Sequence, residues 1–213
     1  MLDFTVIGPI IAIFATLDIV LHLWLDLKKV KNQRNRRFSE PSYVVPWYAI
    51  LLVVVGTFLL FAFTFIFMIT WIWLGTVFLV SAFSPIILPD WIGVFGLVLL
   101  VSGISLHGWS RYVRQEMASS WVMSNTHVLI KDGPYSIIRH PSYTSYMMCA
   151  LGIIFILPSL LSLLTFLVFP GYYLVAIFEE RYLLATFGDE YLKYMTRTGR
   201  FVPKINRSQD CEG

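Results

Sequence analysis

Residues 43–89 read YVVPWYAILLVVVGTFLLFAFTFIFMITWIWLGTVFLVSAFSPIILP, 47 residues with no Asp, Glu, Lys or Arg among them. A helix needs only about 20 apolar residues to cross a bilayer. At about 1.5 Å per residue the stretch is too long for one straight span and just long enough for two. The charge on either side decides between them. All 16 Lys and Arg of the chain fall in three segments, six in 28–37, four in 111–139 and six in 181–207. Basic residues beside span ends mark the cytoplasmic side. Two spans within 43–89 would carry 111–139 to the outside, against its charge. One span is therefore expected, about 44–70, followed by an outer interfacial or re-entrant piece holding Trp71, Trp73 and Phe83. Tryptophan suits the headgroup level, and Pro85, Pro89 and Asp90 punctuate the outer turn.

The same reading extends along all 213 residues, of which 57% are apolar and 14% charged. The run 2–27 is too long for a signal-peptide core and lacks a basic start or a small-residue cleavage site, so it reads as a retained span, about 3–27. A third span is expected at about 91–110. Residues 142–157 and 159–180 form a hydrophobic hairpin joined near Pro158-Ser159, its first arm short for a full crossing. The tail 181–203 places Tyr182, Leu183, Phe187, Tyr191 and Tyr194 at helical spacing among charges. The expected fold class is an all-α integral membrane protein, a single domain over 1–213, with about five transmembrane helices. A cytoplasmic loop and a C-terminal amphipathic helix complete it. The N-terminus is expected outside and the C-terminus cytoplasmic. The 28–37 cluster reads as a headgroup anchor, not a nucleic-acid patch, because it is juxtamembrane and lacks interleaved aromatics. Cys149 and Cys211 sit in segments of opposite character and suggest neither a disulfide nor a metal motif.

Between the third span and the hairpin lies HVLIKDGPYSIIRHPSY, residues 127–143. Asp132-Gly133-Pro134 is a turn. Arg139 and His140 stand at the entry of a helix opened by Pro141, where free backbone N–H groups favour anions. Glu179 and Glu180 end the second hairpin arm. An Arg-His pair beside a Glu pair could hold a zwitterion, with a carboxylate on Arg139 and an ammonium on a glutamate. Plainer alternatives stay open: Arg139-His140 as one more inside anchor, a Glu179–Arg139 ion pair tying the hairpin, and Tyr135 and Tyr143 as interfacial belt residues. Asp18, His22 and Asp26 share one face of the first span. Intramembrane ionisable groups invite a functional reading, and a metal would want these residue types. The preferred reading is that His22 and Asp26 are hydrated residues near the cytoplasmic edge, and no metal is assigned. His107 is expected to face the cytoplasmic mouth.

Four motifs then follow in a fixed order: H-x-L-x-x-x-G-x-Y from His127, RHP-x-Y from Arg139, E-E-x-x-L-x-x-x-F-G-x-x-Y from Glu179, and R-x-x-P from Arg200. Over about 105–205 they resemble the isoprenylcysteine carboxyl methyltransferase family, whose core phospholipid N-methyltransferases share. The resemblance implies S-adenosylmethionine as cofactor and a lipophilic substrate entering from the bilayer. The reaction would be carboxyl O-methylation or phospholipid amine N-methylation. By position it places His127, Val128, Leu129, Ile130, Gly133 and Tyr135 around the cofactor. Arg139, His140, Pro141, Ser142 and Tyr143 would meet its amino-acid end, and Glu179 its ammonium. Arg200 would stand near the reacting group, and Glu180 is a candidate base for an amine or thiol acceptor. Two positions depart from the pattern. Val175 stands where prenylcysteine enzymes carry an Arg for the substrate carboxylate, and Ser145 stands where Gly is common. An NADPH-dependent membrane reductase of the steroid-reductase type is the alternative enzyme. A non-catalytic membrane protein is disfavoured, because ionisable residues are confined to the first span.

Overall fold

The computed structural model describes residues 4–32, 44–73, 86, 88–114 and 128–204. Helices α1 (Phe4–Asn32), α2 (Trp47–Trp73) and α3 (Asp90–Arg114) come first. A 3₁₀ turn, Gly133–Ser136, precedes α4 (Pro141–Ile156). Helix α5 (Leu160–Leu163) passes through a second 3₁₀ turn, Leu164–Leu167, into α6 (Val168–Phe187), and α7 (Asp189–Arg197) follows. Among the described residues the only β pairing is an isolated parallel bridge between Ile138 and Gly199. Among the described residues four segments are long and apolar enough to cross a membrane: Ile7–Lys28, Trp47–Ile66, Asp90–Arg114 and Leu160–Phe187. The expected all-α integral membrane class is the one observed. Helix α4, with 16 residues, reaches about 24 Å at 1.5 Å per residue, less than the roughly 30 Å hydrocarbon layer. It is the short hairpin arm.

Two boundaries differ from expectation. Helix α2 continues through Trp71 and Trp73 instead of ending at 70, because nothing in that uncharged run stops a helix. Phe83 and Pro85 lie outside the described residues. The tail is not one amphipathic helix from 181: α6 runs on to Phe187, the chain breaks at Gly188 with φ +50°, and α7 starts afresh. A positive φ costs glycine little, and residue 188 supplies it.

Large apolar side chains point outward along the spans, among them Ile13, Leu17, Leu23, Phe58, Phe61 and Phe65. In water such faces would drive aggregation. In lipid they are the solvated side, and helix association must come from close packing and polar contacts instead. The α3–α4 pair is the most extensive interface; α2 packs on α6, and α1 on both α2 and α3. Gly93, Gly96, Leu100, Gly103 and His107 form the buried stripe of α3. A Cβ added at Gly152 would fall 2.8 Å from the carbonyl oxygen of Gly96 and from the backbone nitrogen of Leu100. The two backbones touch there. At the hairpin bend, Ser159 Oγ accepts from Ser162 N and Ser159 N donates to Ser162 Oγ, both at 3.1 Å. This reciprocal cap satisfies backbone groups that lipid cannot.

Candidate active site

The turn before α4 sets the site. Gly133 has φ +57°, and a Cβ there would lie 2.9 Å from Val113, so both backbone angle and space require glycine. Tyr135 N donates to Asp132 O at 3.1 Å and Ile138 N to Pro134 O at 3.1 Å. The chain then runs beside the C-terminal segment. Arg139 N donates to Gly199 O at 2.8 Å, His140 N to Arg200 O at 3.1 Å, and Thr144 Oγ1 to Phe201 O at 2.9 Å. Tyr194 OH donates to Tyr135 O at 2.6 Å. Residues 198–201 thus form a wall of the site.

Glu180 is the hub. Its Oε1 accepts from Arg139 Nε at 2.8 Å, and its Oε2 from Arg200 Nη2 at 2.6 Å and Nε at 3.0 Å. His140 Nε2 lies 3.2 Å from Glu180 Oε1. Arg139 also donates to the Thr198 carbonyl. Glu179, one position earlier, faces elsewhere: Tyr143 OH donates to its Oε2 at 2.8 Å, and His140 Nδ1 stands 3.5 Å away. One imidazole therefore spans both carboxylates. Burial works against the charged form of His140, yet its hydrogen bonds to Glu179 and Glu180, and their charges, hold its pKa above the ordinary 6.5. The hydrogen bond to Glu180 likewise raises Arg200, whose guanidinium lies 5.6 Å from the centre of the Tyr173 ring. Burial pushes the Tyr135 phenol up.

The structure brings together Arg139, His140, Pro141, Ser142, Tyr143, Glu179, Glu180 and Arg200. The ion pair that forms is Arg139–Glu180, not the Glu179–Arg139 pair weighed above. Leu129 packs on the cluster of Leu183, Tyr191 and Tyr194, Ile130 is half-buried and Val128 is exposed. His127 lies outside the described residues. Arg114, one of the four basic residues of 111–139, joins the site: its Nη2 donates to Ser142 Oγ at 3.1 Å. Its Nε is buried with no hydrogen-bond partner among the described residues. Its place at the cytoplasmic end of α3, across from RHP-x-Y, was the available signal. His107 does not face the mouth: it is buried, 3.2 Å from Asp18. Asp26 pairs with Arg111, so the polar face of α1 divides between two partners.

Residues 91–190 match a family model described as phospholipid methyltransferase. A protein-S-isoprenylcysteine O-methyltransferase of Schizosaccharomyces pombe is 38% identical over 81 residues, 37% of this chain and 34% of the relative. The corresponding protein of Saccharomyces cerevisiae is 36% identical over 101 residues, 46% and 40% of the two chains. Protein-S-isoprenylcysteine O-methyltransferase B of Arabidopsis thaliana is 28% identical over 121 residues, 54% and 61%. Just under half of the chain, residues 91–190, is thus similar to the phospholipid methyltransferase family. The chain spans 34% to 61% of the length of these relatives. The reductase alternative finds no support among them. The matched segment begins with α3 and ends at the start of α7; it contains Arg114, Arg139, His140, Tyr143, Glu179 and Glu180, while Tyr191, Tyr194, Arg200 and the strip 198–201 lie beyond it. That strip packs directly onto it.

Proposed function

We propose that the chain is an integral membrane methyltransferase that uses S-adenosylmethionine and acts on a lipophilic carboxylate or amine reaching the site from the bilayer. The observation that carries this reading is the pair of buried carboxylates with separate partners, Glu179 toward Tyr143 and His140, and Glu180 between Arg139 and Arg200. The cofactor's amino-acid end is a zwitterion, and the residues present fit it. Glu179 would take the ammonium. Arg114, with its unpartnered buried Nε, would take the carboxylate, a role first assigned to Arg139. Residues 127–130, Gly133 and Tyr135 would enclose the nucleoside. When bound, S-adenosylmethionine supplies an electrophilic methyl carbon on a sulfonium.

The chain's own work is to position and to exclude water. Glu180 already carries two guanidinium groups, so it is a weak proton acceptor. Its role is to hold Arg139, Arg200 and His140 in place, not that of the base first considered. Arg200, with 30% of its side chain exposed, is placed to orient an anionic or carbonyl-bearing head. A site closed off from water favours neutralisation of opposite charges. Val175 is fully buried and offers no charge to a prenylcysteine carboxylate, so the acceptor is read by Arg200 instead. The three basic segments support a cytoplasmic site and C-terminus and an outer N-terminus.

The test is a thermal-shift titration of the purified protein with S-adenosylhomocysteine and, separately, NADPH. Protection by S-adenosylhomocysteine, weakened in Glu179→Gln, is expected. A lost charge-assisted hydrogen bond of about 1.5–3 kcal/mol corresponds to roughly 10- to 150-fold in affinity. Protection by NADPH alone would overturn the reading. Transfer of a labelled methyl group to a lipid extract then identifies the acceptor.

A further inference from the structure

Away from the carboxylate pair, α1 and α3 bring three metal-ligating side chains together inside the spans. Asp18 and His22 stand one turn apart on α1, and His107 meets them from α3. His107 Nδ1 is 3.2 Å from Asp18 Oδ2, and His22 Nδ1 is 3.7 Å from the same oxygen. The two imidazoles stack, 4.8 Å between ring centres and 10° between planes. One donor atom from each residue falls within 4.8 Å of the others.

As a plain hydrogen-bond cluster this arrangement is incomplete. Asp18 Oδ1 is buried and has no hydrogen-bond partner among the described residues. His22 Nδ1 is engaged with the Asp18 backbone carbonyl at 2.9 Å. Among the described acids of the spans, Asp26 has Arg111, Glu180 has Arg139 and Arg200, and Glu179 has the Tyr143 hydroxyl and His140. Among the described residues the Asp18 carboxylate meets only imidazoles, and one of its two oxygens meets nothing. A carboxylate held in a span without a full partner is costly, and a cation beside it removes that cost. Asp18 and His107 also line a cavity of about 70 Å³ with Phe61, Ser145, Tyr146 and Cys149. No lysine or arginine lines it among the described residues.

We propose that Asp18, His22 and His107 bind one divalent transition-metal ion, with the remaining coordination position toward the cavity. Two imidazole nitrogens and one carboxylate oxygen are a donor set for Zn²⁺, and three protein ligands leave one position open. Metal–donor bonds of about 2.0–2.2 Å need the donors closer than they stand here, a side-chain adjustment of about 1 Å. The inference is independent of methyl transfer, because metal content is read without cofactor or acceptor.

The experiment loads the full chain, purified in detergent, with zinc chloride, passes it over chelating resin and measures bound zinc by mass spectrometry. About one zinc per chain is expected, as one three-ligand site requires. Asp18→Asn and His107→Gln should each lower it more than tenfold, and Asp26→Asn should leave it unchanged. Cobalt loading of the wild-type chain needs no variant and should give the visible absorption of a low-symmetry Co²⁺ site. Zinc no higher than in the buffer, equal zinc in wild type and the two ligand variants, or a cobalt spectrum no different from the aqueous ion would each overturn the proposal.

Discussion

Arg200 and His140 meet at Glu180, and their different surroundings predict different consequences of change. Arg200 is the more exposed partner, stacked near Tyr173 and outside the matched segment. Arg200→Ala should lower turnover on the order of 100-fold, the usual effect of removing one preorganised charge, while S-adenosylhomocysteine affinity changes little. Arg200→Lys should restore only part, since a point charge does not replace a fork. Full restoration by Lys would reduce Arg200 to a pin for the tail. His140 is buried between two glutamates, and its folded-state pKa is raised above 6.5. A raised value means its stabilisation is complete below about pH 6.5 and is lost as pH rises through the folded value. Melting temperature of the unliganded protein should therefore fall with rising pH above neutrality. In His140→Gln that part of the slope should vanish; an identical slope would remove His140 as its source.

At the scale of elements, the α3–α4 pair carries the site. Pro141 opens α4, Gly133 turns the chain under α3, and Arg114 reaches Ser142 from the end of α3. Their register depends on backbone contact at Gly96, Gly103 and Gly152. A Cβ at Gly152 would meet backbone on two sides at 2.8 Å, and backbone cannot rotate away as a side-chain end can. Gly152→Val should destabilise by about 1–3 kcal/mol, the range of core overpacking, seen as a lowered melting temperature in detergent. Methyl transfer should fall with it, because Ser142 and Tyr143 ride on the same helix. A variant as stable as wild type would show that the pair can slide apart without cost.

For the whole molecule, the distribution of basic residues predicts which side the site faces. Asp132 and Asp189 are both exposed and flank the motifs. Single cysteines placed at 132 or 189, in a chain with Cys149 and Cys211 replaced, should react with a membrane-impermeant maleimide only after the cells are opened. Labelling of either from outside would reverse the orientation and separate the site from the cytoplasmic cofactor supply. The outward apolar faces of α1 and α2 predict loss of solubility without detergent or lipid, as for any surface of this extent.

Charge-free runs by themselves determined the membrane class, because a bilayer tolerates so few alternatives that composition and length suffice. Pro141 and Gly133 were legible as punctuation because proline fixes φ and glycine frees it locally, whereas Gly188 lay inside a tail expected to be continuous. The order of motifs marked the site. Which glutamate meets which cation was not legible. Glu179 and Glu180 differ by about 100° around α6, so their partners depend on how that helix is rotated against α4. The strip 198–201 beside 138–140 and the meeting of Asp18 with His107, 89 residues apart, depend likewise on the packing of separate helices. Tertiary structure alone decided these, because side-chain partners across a helix interface follow from rotation and register. In lipid, both are set by the fit of small residues and polar contacts rather than by the apolar pattern along each chain segment.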